Sequence, residues 1–127
     1  MNNRQLICIV CPNGCELSAQ VTETNGRVKV EDITGGLCDK GPPWAEQELT
    51  HPVRTISSNV LVTGGDMPLV SVRTSRAVPR DRIFDIMEAI KKIRVSAPVD
   101  IGDVIIDRPC GTDCEIIATR KIKPSYE

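Results

Sequence analysis

Apolar and polar residues alternate through the first third of the chain. Leu17, Ala19 and Val21 occupy every second position, and Val28 and Val30 resume the pattern, with Ile33 continuing it. A period of two marks a strand with one buried face. Asn25-Gly26 between the two runs is the dipeptide that closes a tight hairpin. Ahead of them, Arg4 to Val10 is a short apolar run that reads as a further strand. Cys11-Pro12-Asn13-Gly14-Cys15 is a turn by composition, because Pro, Asn and Gly each favour bent backbone for a different steric reason. Gly35-Gly36 then turns the chain toward Cys38-Asp39-Lys40-Gly41. Pro42 to Leu49 reads as a short helix with proline in its first turn, stopped by His51-Pro52-Val53-Arg54.

Beyond that break, Ile56 to Thr63 and Leu69 to Arg73 read as strands around Gly64-Gly65-Asp66. Pro79 to Ile93 is the strongest helical pattern. Ile83, Ile86 or Met87, Ile90 and Ile93 recur at helical spacing, with early acids and late lysines that suit the helix dipole. Val99 to Ile101, Val104 to Ile106 and Glu115 to Thr119 read as short strands, and Lys121 to Glu127 as a frayed tail. Strands and helix do not alternate regularly, so the expected class is α+β. The expectation is a small cysteine-rich N-terminal β-hairpin metal module over residues 1–50. A compact α+β domain over residues 51–127 follows, with one main helix against short strands and a role in docking a partner. The charge changes across the same boundary: residues 1–50 carry a net of −3 and residues 51–127 a net of +2.

Composition narrows the function. Aromatic residues make up 2% of the chain, too few for the stacking surfaces that single-stranded nucleic acid needs. A net charge of −1 gives no electrostatic footprint for nucleic acid or an anionic membrane. No apolar run approaches the roughly 20 residues of a membrane span, and the N-terminus lacks the pattern of a signal peptide. The expected location is cytoplasmic, where thiols stay reduced and six cysteines point to metal or redox chemistry rather than to disulfides.

Cys8-x-x-Cys11-x-x-x-Cys15 supplies three thiolates from one tight loop, and Cys38 follows after 22 residues. A cubane iron–sulfur cluster needs four thiolates converging from different directions. A compact loop can supply three, and a hairpin can return a distant segment with the fourth. Gly14, Gly35 and Gly36 leave room for backbone N–H groups near the sulfurs, and such hydrogen bonds tune a cluster. Three other readings remain open. Zinc also takes four cysteines, though zinc ribbons pair two Cys-x-x-Cys knuckles. Cys8-x-x-Cys11 has the spacing of a thiol–disulfide redox protein, which leaves Cys15 and Cys38 unexplained. Buried free cysteines acting as small hydrophobes are the bland alternative.

The run Cys8-Ile9-Val10-Cys11-Pro12-Asn13-Gly14-Cys15-Glu16-Leu17, with Gly36-Leu37-Cys38-Asp39-Lys40-Gly41, resembles the 4Fe–4S segment of molybdopterin oxidoreductases. His51-Pro52-Val53-Arg54 resembles the continuation of that segment. The whole chain more closely resembles domain of unknown function 1667. That likeness rests on the cysteine segment, Val72-Arg73-Thr74, Val78-Pro79-Arg80, Ala97-Pro98-Val99, Gly102-Asp103-Val104-Ile105 and Ile117-Ala118-Thr119-Arg120. Members of that family tend to be encoded beside FAD-dependent dehydrogenases of the glycerol-3-phosphate type. The resemblance implies a 4Fe–4S electron-transfer subunit of an oxidoreductase complex, not an enzyme alone, with an FAD-dependent dehydrogenase subunit as partner. In the molybdopterin enzymes the lysine matching Lys40 lies between cluster and pterin, which implies a cofactor-facing role for Lys40 beside a solvated turn. The chain has no room for pterin-binding domains. The rival from another class is a zinc-stabilised protein-interaction module without a redox role.

Cys110 and Cys114 match no signature; they read as spare ligands, a reversible disulfide or two incidental thiols, with incidental thiols the leading reading. His51, the one histidine, reads as a turn residue. Arg73, Arg76, Arg80 and Arg82 gather near the start of the main helix, as a solvated face or a docking patch for an acidic partner.

Overall fold

The computed structural model of the protein describes residues 2–125. The chain divides into two compact units, Met1–Pro52 and Val53–Glu127.

The first unit is an antiparallel sheet in the order β1 (Asn2–Ile7), β2 (Glu16–Thr24), β3 (Arg27–Gly35), followed by helix α1 (Gly41–Thr50). β2 is the middle strand, and its alternating apolar positions Leu17, Ala19 and Val21 are fully buried, as the period of two requires. β2 and β3 turn back through Asn25 (φ 53°) and Gly26 (φ 77°). Both central residues are left-handed, the geometry whose twist matches that of the flanking strands. The strands register with Thr24 opposite Arg27 and Leu17 opposite Gly35, so β3 ends level with the start of β2. β1 pairs along the other side, with Ile7 opposite Glu16. The unit's own apolar cluster is small: Cys8, Leu17 and Ala45 are buried, and Leu6, Cys15, Ile33 and Trp44 pack around them.

The second unit opens with β4 (Val53–Arg54), β5 (Ser57–Thr63), β6 (Leu69–Thr74) and β7 (Val78–Pro79). Helix α2 (Ile83–Lys91), β8 (Arg94–Ser96), β9 (Val104–Asp107) and β10 (Glu115–Ala118) follow. The main sheet runs β8-β5-β6-β10-β9, and β4 pairs with β7 as a separate two-stranded ladder. Every pairing is antiparallel except β5 with β8. A mostly antiparallel sheet backed by one helix is an α+β arrangement. Val60, Val70, Val72, Ile86, Ile90, Ile116 and Ile122 form its core. Thr74 is buried among them and is satisfied, because its Oγ1 accepts a hydrogen bond from the Ile56 N–H at 3.0 Å.

Three expectations change. The helix predicted from Pro79 starts later, since Pro79 is extended and pairs with Val53, and Arg80–Arg82 forms a single 3-10 turn before α2. It also ends earlier, because Arg94–Ser96 is drawn into the sheet beside β5. The run from Val99 contributes only a single bridge, Val99 to Ile122. That bridge belongs to the third change. The terminal segment is not frayed through residue 125: Ile122 is fully buried, Pro124 bridges Gly65, and the Ser125 N–H donates to the Gly64 carbonyl at 2.9 Å. Tyr126 and Glu127, the rest of the predicted tail, lie outside the described residues.

Candidate metal centre

Cys8 follows directly on β1, and its N–H donates to the Cys15 carbonyl at 2.8 Å. One more bond of the β1–β2 ladder thus closes the loop that carries Cys11, with Gly14 (φ +61°) making its bend. The Cys8 side chain is 5% exposed and belongs to the unit's apolar cluster together with the half-buried Cys15. Cys11 is half-buried and Cys38 exposed. Cys38 sits on the short connection from β3 to α1. Since Leu17 pairs with Gly35, that connection leaves the sheet at the end where the Cys8–Cys15 loop lies. The predicted hairpin therefore does return the chain to the thiol-bearing loop.

Glycines hold this return tight. A Cβ on Gly35 (φ +98°) would meet the Glu16 carbonyl oxygen at 2.5 Å, a distance no side chain tolerates. One on Gly36 (φ +85°) would meet Leu17 Cδ2 at 3.0 Å. One on Gly41, the first residue of α1, would stand 3.3 Å and 3.4 Å from the Leu17 methyls and 3.6 Å from Cys8 Sγ. Leu17 and the Cys8 sulfur thus lie in a cradle that a β-carbon would fill.

All six cysteines are free thiols. Among the described residues, no three His, Cys, Asp or Glu side chains are gathered tightly enough to hold a metal ion. The soft donor set, its placement at one end of the sheet and the glycine cradle fit a thiolate-bound metal; the convergence of the sulfurs is not formed. Lys40 is exposed and caps α1 only through its backbone, with no side-chain hydrogen bond to the helix end. Four exposed aliphatic residues flank the thiols: Ile7 (54% exposed), Ile9 (74%), Val10 (44%) and Leu37 (83%).

The other candidates resolve locally. The His51 N–H donates to the Gln47 carbonyl at 2.8 Å, closing α1 as a turn residue. Cys114 is buried in the core of the second unit, with its Sγ 3.4 Å from Thr112 Oγ1, and the half-buried Cys110 packs against that core. The arginines do not form an open basic patch. Arg76 pairs with Asp113 at 3.4 Å, Arg73 donates to the Thr74 carbonyl, and Arg80 is also engaged. Arg82 donates to the Cys110 carbonyl, steadying a turn in which Arg108 and Cys110 both have positive φ. No sequence signal joins Arg82 to a residue 28 positions away. An open cleft of about 630 Å³ lies there, lined by Arg76, Arg82, Asp81 and Asp113 among others, so its charges balance.

Among the described residues no helix is long and apolar enough to cross a membrane. None of the curated proteins matches the chain. The structure is similar to the NMR structure of Clostridium perfringens protein CPE0013, with a TM-score of 0.50 and 19% identity, over 61% of this chain and 89% of that one. At that identity the likeness concerns the fold alone. The family described as protein of unknown function (DUF1667) matches residues 39–120. The match starts immediately after Cys38, so it takes in Lys40, Cys110 and Cys114 but none of the four N-terminal thiols. It includes the Val72-Arg73-Thr74, Val78-Pro79-Arg80, Ala97-Pro98-Val99 and Ile117–Arg120 segments and nearly two thirds of the chain, and by it the chain belongs to the DUF1667 family.

Proposed function

We propose that the N-terminal unit binds a 4Fe–4S cluster through Cys8, Cys11, Cys15 and Cys38. The protein then serves as a small electron-transfer subunit of an oxidoreductase, working with an FAD-dependent dehydrogenase. The observation that carries this reading is the meeting of two loops at one end of the sheet. The β1–β2 loop brings three free thiols, and the β3–α1 connection brings the fourth to the same end. A second support is size. In a unit of some fifty residues the buried apolar side chains among the described residues are Cys8, Leu17, Ala19, Val21 and Ala45, two of them alanines, and small units with so little apolar burial commonly use metals as staples.

A cluster of this type supplies a one-electron couple whose potential the protein tunes. Leu6, Leu17, Ile33 and Trp44 form an apolar floor under Cys8 and Cys15 that keeps water from the inner sulfurs. Ile7, Ile9, Val10 and Leu37 are exposed apolar residues in the thiol-bearing segments, which a redox partner could cover at little polar desolvation cost. Lys40 adds a positive charge two residues from Cys38, which favours the more negative, reduced form and raises the potential. The identity of the partner rests on the resemblance to proteins encoded beside flavin dehydrogenases. Substituting Ser for Cys11 tests the ligand set: iron content is expected to collapse in Cys11→Ser and to persist in Cys110→Ser. Unchanged iron in Cys11→Ser overturns the assignment.

A further inference from the structure

The cleft of about 630 Å³ beside the Cys110 turn has the size of a small-molecule site, roughly 300–1,000 Å³. Its walls hold two arginines, Arg76 and Arg82, and two aspartates, Asp81 and Asp113, so it presents both signs of charge rather than one. Arg76 and Asp113 are largely exposed and meet at 3.4 Å, an ion pair that a ligand can open at little cost. Arg82 is anchored, because it donates to the Cys110 carbonyl. Its Nε is buried without a hydrogen-bond partner among the described residues, 3.7 Å from the Asp85 carboxylate. A guanidinium whose donors are not all taken favours an anionic group beside it. The same wall carries Cys110, a free, half-buried thiol. Cys114, four residues on, is 3% exposed, with Thr112 Oγ1 3.4 Å from its sulfur. Of the two thiols in this turn, Cys110 lines the cleft and Cys114 is closed off in the core.

We propose that this cleft is a thiol-modification site, in which Cys110 forms a mixed disulfide with a low-molecular-weight disulfide whose halves carry both carboxylate and ammonium groups. Arg76 and Arg82 take the carboxylates, and Asp81 and Asp113 the ammonium. The Cys110 thiolate attacks one sulfur of the small disulfide. The bond between the two small-molecule sulfurs breaks as the bond to Cys110 forms, and the departing half leaves as a thiol with the proton that Cys110 gave up. One disulfide is consumed and one is made, so no further oxidant is needed. Cys114, shut in the core, does not displace the attached group, which stays until an external thiol removes it. The step uses neither the N-terminal thiols nor a metal, so it stands apart from the cluster reading.

The test incubates the full-length protein with oxidised glutathione, whose halves carry carboxylates and an ammonium, or with the uncharged hydroxyethyl disulfide. Peptide mass spectrometry follows the mixed disulfide at Cys110, so the N-terminal thiols do not interfere. Each rate is divided by that of the same reagent on the urea-unfolded chain, which removes intrinsic reactivity. The ratio for oxidised glutathione is expected to exceed that for hydroxyethyl disulfide by about fivefold or more, the worth of one charged contact at an exposed site. Cys114 is expected to stay unmodified. In Arg76→Gln/Asp113→Asn, which alters two exposed side chains, the advantage is expected to shrink. No mixed disulfide at Cys110, equal ratios for the two reagents, Cys114 modified as fast as Cys110, or an advantage untouched in the double variant overturns the proposal. Should the double variant fail to fold, the wild-type comparison decides alone.

Discussion

Leu17→Ala is the substitution that most directly joins the fold of the N-terminal unit to its site. Leu17 is fully buried on the middle strand. Its methyls stand so close to Gly36 and Gly41 that a single added carbon at either position would be crowded. The substitution removes three carbons, worth about 2.4 kcal/mol at roughly 0.8 kcal/mol per buried methylene. One side of the site is the backbone of Gly35, Gly36 and Gly41, which closes poorly over a void, and the other is the side-chain cluster around Cys8 and Trp44, so a cavity term brings the expected loss to about 3–4 kcal/mol. That is a shift of more than about a hundredfold in the ratio of folded to unfolded protein. Trp44, the one tryptophan, packs on the same cluster, so its fluorescence follows urea unfolding of this unit in metal-free protein. Because Leu17 supports the connection that carries Cys38, metal affinity is expected to fall as well, by the linkage between binding and folding. A loss below about 1 kcal/mol would refute the argument that the glycine cradle closes on Leu17.

The remaining predictions concern the second unit. Gly65→Ala is expected to cost about 1–3 kcal/mol by overpacking, because its Cβ would meet Ile122 Cγ2 at 2.6 Å and Val62 Cγ1 at 2.9 Å. Gly64→Ala, with φ +69° and open space around it, pays only for the left-handed backbone, about 1 kcal/mol; thermal melts that reverse this order would contradict the packing. Thr74→Val keeps the shape but strands the buried Ile56 N–H, for a loss of about 1–3 kcal/mol in chemical unfolding. Deleting residues 121–127 removes the buried Ile122 and its two bonds to Val99, and is expected to lower stability by at least about 3 kcal/mol. A truncated protein that melts like the full chain would restore the frayed tail.

The elements that local chemistry determines were legible in the sequence. The β2–β3 hairpin follows from alternating Leu17, Ala19, Val21 and Val28, Val30 around Asn25-Gly26, and its register brings Cys38 back to the first cysteine loop. α2 follows from the spacing of its isoleucines, of which Ile86 and Ile90 are buried. What could not be read depends on distant partners. β8 is three residues long with only Val95 partly buried, and it exists because β5 offers it a parallel edge. Ile122 looks like an isolated apolar residue in a polar tail, yet the second unit's core needs it. The Gly41 cradle was invisible for the same reason: the sequence marks the glycine, but not that Leu17 and Cys8 lie against it. The four cysteines were singled out by spacing alone, and the fold adds that their two segments share one end of a sheet.

The central claim is tested most directly by the iron, sulfide and zinc content of wild-type protein purified without oxygen, with the absorption spectrum of the same sample. About four irons and four sulfides per chain, with a brown chromophore that bleaches on reduction, is the predicted result. About one zinc per chain and no colour would contradict electron transfer and make the N-terminal unit a structural metal module.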